Sequence, residues 1–139
     1  MKWIFIFLGL LGAVVALMYL FPQINYRNMP DGILNGKLDE KKPNWVSSFV
    51  AKNEEHYIAP LKINSLAQLS SCIRDKLPEV RIKKLDEKEL IAYRASTVFH
   101  FVDWFCIHAD GQVVSSATMG YSDLGKNREL IESIRTFCQ

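Results

Sequence analysis

The sequence lacks a large excess of charge of either sign: its 17 Lys and Arg residues nearly balance its 15 Asp and Glu residues and leave a net charge of +2. So small an excess does not make the basic stripe of a nucleic-acid-binding domain, and we expect no nucleic-acid partner. Only 3 of the 139 residues are cysteine, which excludes a disulfide-dense mini-protein. Gly-rich phosphate loops, Cys-x-x-Cys pairs and Gly-x-Ser-x-Gly elbows are also missing. No motif therefore specifies a reaction, and we expect no cofactor.

One long apolar run is present, from Trp3 to Phe21, and it contains no charged residue. At about 1.5 Å per helical residue the run spans about 28 Å, close to the ~30 Å hydrocarbon core of a bilayer. Trp3 and Tyr19 suit the interfacial positions that aromatic residues prefer. The run predicts a transmembrane anchor over residues 1–22 that contacts the lipid bilayer through residues 3–21.

A cleaved signal peptide is the alternative to an uncleaved anchor. The run is longer than the roughly 7–15 apolar residues of a signal peptide, and residues 17–22 are too bulky for a small-x-small cleavage site. Lys2 and the terminal amine favour an N-terminus on the inner side. We therefore expect a single-pass protein of the cell (inner) membrane whose C-terminal domain is periplasmic.

Composition changes after the anchor. Residues 23–44 hold turn dipeptides at residues 30–32 and 35–36, and we expect this segment to be a flexible linker. Residues 45–139 are enough for a small folded domain.

The pattern of residues 45–139 predicts an α+β domain. Asn64 and Ser65 are helix caps before one helix, and Leu130, Ile131, Ile134 and Phe137 mark one face of a C-terminal helix. Strands are expected at residues 56–63, 80–84, 90–94, 98–108 and 112–119. Short turns between strands indicate antiparallel pairing. We expect two layers, a largely antiparallel sheet of about five strands covered by two helices.

Four segments carry a family resemblance. They are PNWVSS at 43–48, IAPL at 58–61, FHFVDW at 99–104 and GYSDLGKNRELIESIR at 120–135. In order and spacing they resemble the domain of unknown function 1499 family of bacteria and plastids, and the GYSDLG-x-NR block is the specific part. The resemblance implies a membrane-anchored or exported protein and brings no biochemical activity.

The chain departs from the pattern that this family tends to show. Trp45 stands at a position where members tend to have cysteine, and Val114 and Thr118 stand where they tend to have arginine. The FVDW segment has one acid where many relatives have two. Whatever the cysteine, the two arginines and the second acid do in relatives, the resemblance does not imply that role for this chain.

Asp103 is the leading candidate for a functional residue. Strand alternation places it on one face with four apolar residues, which are Phe99, Phe101, Phe105 and Ile107. A buried carboxylate must be paired or protonated. The candidate partners are Arg94, Arg128, Ser47 and Ser48. A tuned acid or ligand anchor and a structural ion pair or hydrogen-bond hub are the two alternatives.

The start of the last helix supplies a second candidate polar site, made of Asp123, Asn127 and Arg128. Helix N-termini attract anions, and the basic residues there favour such a site. The negative charge of Asp123 competes for the same amides, so the alternative is a capped helix start.

The cysteines and histidines give weaker signals. Cys72 and Cys138 are a candidate disulfide if the two helices pack side by side in an oxidising compartment, and three buried thiols are the alternative. His100 and His108 lie about 26 Å apart along one strand, so we expect no metal site. Cys106 and His108 are two residues apart on one strand, so they are close enough for a cysteine nucleophile and a histidine base, but the sequence shows no acid that would orient the histidine.

These observations favour an envelope protein that acts as a non-enzymatic accessory or binding module outside the cytoplasm, with a membrane protein or a lipid as partner. One alternative is a small hydrolase that uses Asp103 or Asp123, and another is an accessory subunit of a larger membrane complex. If no helix covers the second face of the central strand, its residues form an apolar patch that suits a partner. Those residues are Val98, His100, Val102, Trp104 and Cys106.

Overall fold

The N-terminal apolar run is a helix, α1 (Lys2–Asn25). The computed structural model describes residues 2–25, 28–36, 38–39, 41–97 and 101–139, and for residues 21–25 the backbone alone. The helix continues beyond Pro22, the residue that ends the apolar run, to Asn25. Its Lys2–Leu20 portion has a mean hydropathy of 2.5 and is not buried at all. Such length and composition fit both a membrane anchor and a signal sequence.

The rest of the described chain builds one antiparallel sheet. Its strands are β1 (Trp45–Ser47), β2 (Val80–Leu85), β3 (Glu89–Ala95), β4 (Val102–His108) and β5 (Val113–Ala117). They lie side by side in the order β1-β5-β4-β3-β2. Two further helices, α2 (Leu66–Lys76) and α3 (Lys126–Cys138), complete the domain. The expected α+β fold, with a five-stranded antiparallel sheet and two helices, is confirmed.

Both helices pack on one face of the sheet, which we call the helix face. Ser65 caps α2 by accepting a hydrogen bond from the Gln68 backbone N–H at 3.2 Å, as its position before the apolar repeat predicts. The helix-face core contains residues from both helices and from the central strands. Its largest fully buried members are Ile58, Ile73, Leu90, Phe105, Ile107, Val113, Leu130, Ile131 and Ile134.

Phe137 departs from the prediction for the last helix. Its side chain is 56% exposed, whereas Leu130, Ile131 and Ile134 are fully buried as expected. Cys138, the next residue, packs against the core instead.

The second face of the sheet is covered as well. Val102, Trp104 and Cys106 are buried there, and Ile33, from the segment predicted to be a linker, is fully buried against them. The prediction of an exposed apolar patch on this face is therefore wrong for these three strand residues. Val98 and His100, the other two members of that patch, lie outside the described residues.

The first strand lies elsewhere than predicted. Residues 56–63 form no full strand, and their pairing is a single parallel bridge between Ser47 and Tyr57. The edge strand is β1, which pairs with β5. Pro60 has no backbone N–H to donate to a ladder, and arginine side chains bind the carbonyls of the neighbouring residues, as described below. Of the strand predicted over residues 98–108, the described part is β4, which begins at Val102; residues 98–100, Phe99 among them, lie outside the described residues.

Candidate functional site

Asn127 is the centre of a buried polar network beneath the start of α3. Its side chain is fully buried. The amide nitrogen donates to the Asn44 carbonyl at 3.0 Å, and the amide oxygen accepts from the Ser115 hydroxyl at 2.6 Å. Asn44 in turn donates from its amide to the Gly120 carbonyl at 3.0 Å. The network therefore joins α3 to β1, β5 and the loop between β5 and α3.

Asp123 serves this network as a helix cap. One carboxylate oxygen accepts from the Asn127 backbone N–H at 2.7 Å and from the Asn127 amide at 2.5 Å. The other accepts from the Gly125 backbone N–H at 3.1 Å. Two of these bonds satisfy backbone N–H groups at the start of α3, those of Gly125 and Asn127, and the third orients the Asn127 side chain. The capped helix start, one of the two alternatives for this segment, thus describes the contacts of Asp123.

Asp103 pairs with Arg94, its direct cross-strand neighbour in the β3–β4 register. The Arg94 guanidinium lies 3.4 Å from the Asp103 carboxylate, and both side chains are largely buried, at 16% and 13% exposure. The same nitrogen of Arg94 donates to the Lys126 carbonyl at 3.0 Å. Burial raises the pKa of Asp103 above its ordinary value, while the nearby charge of Arg94 opposes the rise.

Asp103 and Asp123 border one cavity of about 270 Å³ at the end of the sheet. The cavity lies between the chain that enters β4 and the loop before α3. Its described lining residues are Ser96, Phe101, Asp103, Ala117, Met119, Gly120, Ser122, Asp123, Leu124 and Lys126. Most of this lining is apolar, with Asp103 as a buried carboxyl in its wall. We call this space the Asp103 cavity.

Leu124, which lines the Asp103 cavity, is a conspicuously exposed apolar side chain. It is 90% exposed, and Tyr121 in the same loop is 71% exposed. Leu124 also has a φ of +54°, a left-handed conformation that costs a leucine about 1 kcal/mol. The backbone therefore holds Leu124 outward at a cost that burial of its own side chain does not offset.

The remaining predicted site residues bond elsewhere. Arg128 donates to the backbone carbonyls of Tyr57 and Glu55, both at 2.8 Å. Ser48 exchanges hydrogen bonds with the Val113 backbone through its hydroxyl, and the Ser47 hydroxyl accepts from the Phe49 N–H. The structure brings together Arg94 with Asp103 and Asp123 with Asn127. It places Arg128, Ser47 and Ser48 in contacts that hold the edge of the sheet.

A second, more polar cavity of about 200 Å³ lies on the other side of the Ser122–Asp123 turn. His56 stacks on Trp45 beside it, with ring centroids 3.8 Å apart, and the His56 ring nitrogen lies 2.9 Å from the Trp45 carbonyl oxygen. Arg128 also lines this space. Because both Arg128 donors described above bind backbone carbonyls, Arg128 holds residues 55–57 in place in the wall of this cavity.

Two of the three cysteines are bonded to each other. A disulfide joins Cys72 of α2 to Cys138 of α3 across a sequence separation of 66. Cys106 is a free, buried thiol whose pKa is raised to about 12, chiefly by burial. Its sulfur lies near Glu89 and His108, and among the described residues these three are the group whose ligand atoms suit a metal, all within 4.8 Å of one another.

Sequence reasoning missed three of the residues that matter here. Asn44 and Ser115 were not among the predicted site residues, although a polar residue inside a buried segment is a signal that it has a partner. Glu89 was missed because nothing local indicates which residue faces Cys106 across the sheet.

The part of the chain that forms the sheet and the Asp123 helix cap matches a known protein family. A family model described as Protein of unknown function (DUF1499) matches residues 37–137. The chain belongs to the DUF1499 family. The match includes all five strands and nearly all of α3, so the DUF1499 region contains the Asn127 network and the Asp103 cavity. Neither the curated proteins nor the solved structures gave a match to the chain.

Proposed function

We propose that this DUF1499 protein is a membrane-anchored binding module that takes up an apolar group of a membrane-bound partner in the Asp103 cavity. The observation that carries the proposal is a largely apolar cavity of about 270 Å³ whose rim holds Leu124 at 90% exposure. Ligand sites of proteins are typically concave and apolar, with a few fixed polar groups. Asp103 supplies such a group in this cavity.

The contacts of the polar residues favour binding over catalysis. Asp123 accepts three hydrogen bonds from Gly125 and Asn127 at the start of α3, and Asn127 bonds to Asn44 and Ser115. These groups fix the wall of the cavity and have little capacity left for a reacting substrate. A rigid wall with an exposed apolar rim suits a partner that is bound and released unchanged.

An anchor next to the domain increases the benefit of even a weak site. A tether of modest length keeps the domain at a millimolar-scale effective concentration toward partners in the same membrane. The helix α1 is long and apolar enough to provide that tether. The proposed mechanism is therefore capture near the bilayer surface, with affinity supplemented by confinement.

We place the domain in the periplasm of a cell whose inner membrane holds α1. The Cys72–Cys138 disulfide supports this location, because structural disulfides persist in oxidising compartments. Lys2 before the apolar run supports the same orientation. C-terminal fusions test it directly: alkaline phosphatase should be active and green fluorescent protein dark. The reverse pattern would place the domain in the cytoplasm.

Site-specific photocrosslinking in native membranes tests the binding proposal. A photoreactive phenylalanine analogue replaces Leu124 on the cavity rim, and the matched control carries it at Phe137, an exposed apolar position of α3 outside the cavity lining. We expect a discrete crosslinked product from position 124 and none of the same mass from position 137. Equal products at both positions, or none at 124, would contradict the proposal.

The mass of the product also separates the remaining alternatives. A lipid adduct identifies a lipid partner, a transient protein adduct identifies a partner protein, and a stoichiometric one identifies an accessory subunit of a membrane complex. Adding Asp103→Asn to the Leu124 probe shows whether the carboxyl organises the cavity, since loss of the product assigns it that role.

A hydrolase that uses Asp103 is the second candidate. Its raised pKa and its place in a cavity wall are features of a general acid. The test is an ester and peptide hydrolysis screen of the full-length protein against the Asp103→Asn variant. Activity that the variant loses while it keeps the same urea midpoint would favour this candidate.

A further inference from the structure

Three potential metal ligands meet on the sheet face opposite the helices. In the β3–β4 register Glu89 lies directly across from His108, and Cys106 stands two residues earlier on the same strand. Side chains two residues apart on a strand point to the same face, so all three converge at one end of that face. The Cys106 sulfur lies 3.7 Å from the His108 Nε2 atom and 3.9 Å from the Glu89 Oε2 atom.

These distances are close to the edges of a tetrahedral metal site. Zinc binds sulfur at about 2.3 Å and imidazole nitrogen at about 2.0 Å, which places the two ligand atoms about 3.5 Å apart at the tetrahedral angle. The corresponding distance here is 3.7 Å, and all three ligand atoms lie within 4.8 Å of one another. The sulfur–oxygen distance of 3.9 Å needs a contraction of a few tenths of an ångström, and the His108–Glu89 edge, within 4.8 Å, closes to the tetrahedral value of about 3.3 Å by a movement of at most about 1.5 Å of the partly exposed Glu89 carboxylate.

The surroundings orient the ligands as metal sites require. Lys84 donates to the Glu89 Oε1 atom at 2.7 Å, which leaves Oε2 directed toward the sulfur. The Phe49 ring packs edge-on against the His108 ring at 5.4 Å. A hydrogen bond such as that from Lys84 fixes the direction of a ligating carboxylate, and the Phe49 ring limits the positions open to the His108 ring. Cys106 is fully buried while Glu89 and His108 are partly exposed, so an ion has a path from solvent.

We propose that Glu89, Cys106 and His108 bind one zinc-class divalent cation, with a fourth position open to water. The ligand set of one sulfur, one nitrogen and one carboxylate oxygen is that of a borderline-soft cation and does not suit calcium or magnesium. Binding breaks the Cys106 S–H bond, forms a sulfur–metal bond and releases one proton to solvent. The site is separate from the Asp103 cavity, so its test stands independently of the proposed function.

A nucleophilic role of the Cys106–His108 pair is the competing explanation for this cluster. A cysteine nucleophile reacts as thiolate and must reach its substrate. Cys106 has no exposed surface, so its sulfur cannot meet a bulky substrate at the protein surface. A small ion reaches this sulfur where an organic substrate does not.

Titration of the untagged, full-length protein in detergent with Zn²⁺ and with Co²⁺ tests the proposal. We expect one equivalent of Zn²⁺ to bind, and one equivalent of Co²⁺ to give a thiolate-to-cobalt charge-transfer band. Loss of His108 or Glu89 as a ligand should weaken binding at least as much as an outer-contact change does, by about tenfold or more. The variants are His108→Gln and Glu89→Gln.

Two controls keep the result interpretable. Glu87→Gln removes an exposed carboxylate of the same hairpin, and His56→Gln removes a histidine outside the cluster, and both should bind like the unaltered protein. Cys106→Ala should abolish the cobalt band, and if this buried variant does not fold, the two partly exposed positions decide the outcome. The proposal is overturned if no saturable binding is seen, if the band is missing, or if folded His108→Gln and Glu89→Gln bind normally.

Discussion

The disulfide between α2 and α3 makes a quantitative prediction. Cys72 and Cys138 are separated by 66 residues, so their bond closes a loop that contains most of the folded domain. In the chain-entropy treatment of disulfides, closing a loop of that length removes about 15 cal/mol/K from the unfolded ensemble, which corresponds to about 4 kcal/mol at 25 °C. Loss of the bond should lower the free energy of unfolding by up to that amount.

Urea unfolding of the full-length protein in detergent, with and without a reductant, measures this loss. With a urea slope of about 2 kcal/mol/M, a loss of 4 kcal/mol lowers the midpoint by about 2 M. The control is the double variant Cys72→Ala/Cys138→Ala, whose midpoint should already be low and should not respond to reductant. If the two proteins respond alike, or if both thiols are alkylated without reductant, the reasoning is refuted.

Three further outcomes follow from the described contacts. Asn127→Ala should lower the free energy of unfolding by about 3 kcal/mol, because it leaves buried partners unsatisfied; a loss within 0.5 kcal/mol, the ordinary scatter of surface changes, would contradict this. Since the pKa of Asp103 is raised in the folded protein, its contribution to stability is present below pH 3.8 and is lost as the pH rises through the raised value. The urea midpoint of the unaltered protein should therefore fall as the pH is raised from 3.8, and the Asp103→Asn variant should lack this fall. If the midpoints of the two proteins change with pH in parallel, Asp103 is not the cause. Gly111→Ala should destabilise far more than Gly120→Ala in thermal melts, because both glycines have φ near +88° but only the first would place a Cβ 2.0 Å from the Leu61 carbonyl oxygen. Equal melting temperatures would show that the close approach is not rigid.

Local chemistry made much of the fold predictable. Ser65 before an apolar repeat gives the start of α2, and Asp110-Gly111 gives the turn between β4 and β5, where Gly111 has the positive φ that the sequence indicates. These features depend on neighbours in the sequence, so a single chain contains the needed information. The α+β class then follows from the order of the elements.

Long-range pairing was not predictable in the same way. The edge position of β1 depends on its register with β5, about 70 residues later, and on arginine side chains that bind four of the carbonyls between residues 55 and 60. Ile33 carries no local signal that it would bury itself against the second face. Turn-rich composition indicated a linker because composition does not reveal a tertiary contact.

In the candidate site, too, the local features were predictable and the contacts between strands were not. Arg94 was one of four candidate partners for Asp103, and the β3–β4 register selects it. The spacing of Cys106 and His108 was visible, but the acid that joins them is Glu89, from the neighbouring strand. A site assembled across strands needs the register, which residue spacing alone does not supply.

The arginines of α3 have a consequence for how this protein can be changed. Arg128 binds the carbonyls of Glu55 and Tyr57, and Arg135 binds those of Ala59 and Pro60 at 2.7 and 3.0 Å. A main-chain carbonyl oxygen can accept these hydrogen bonds whatever side chain its residue carries. The exposed positions of this segment, Glu55 and Ala59, are therefore permissive places for a substituted or chemically labelled side chain, since the path of the segment is held by its backbone.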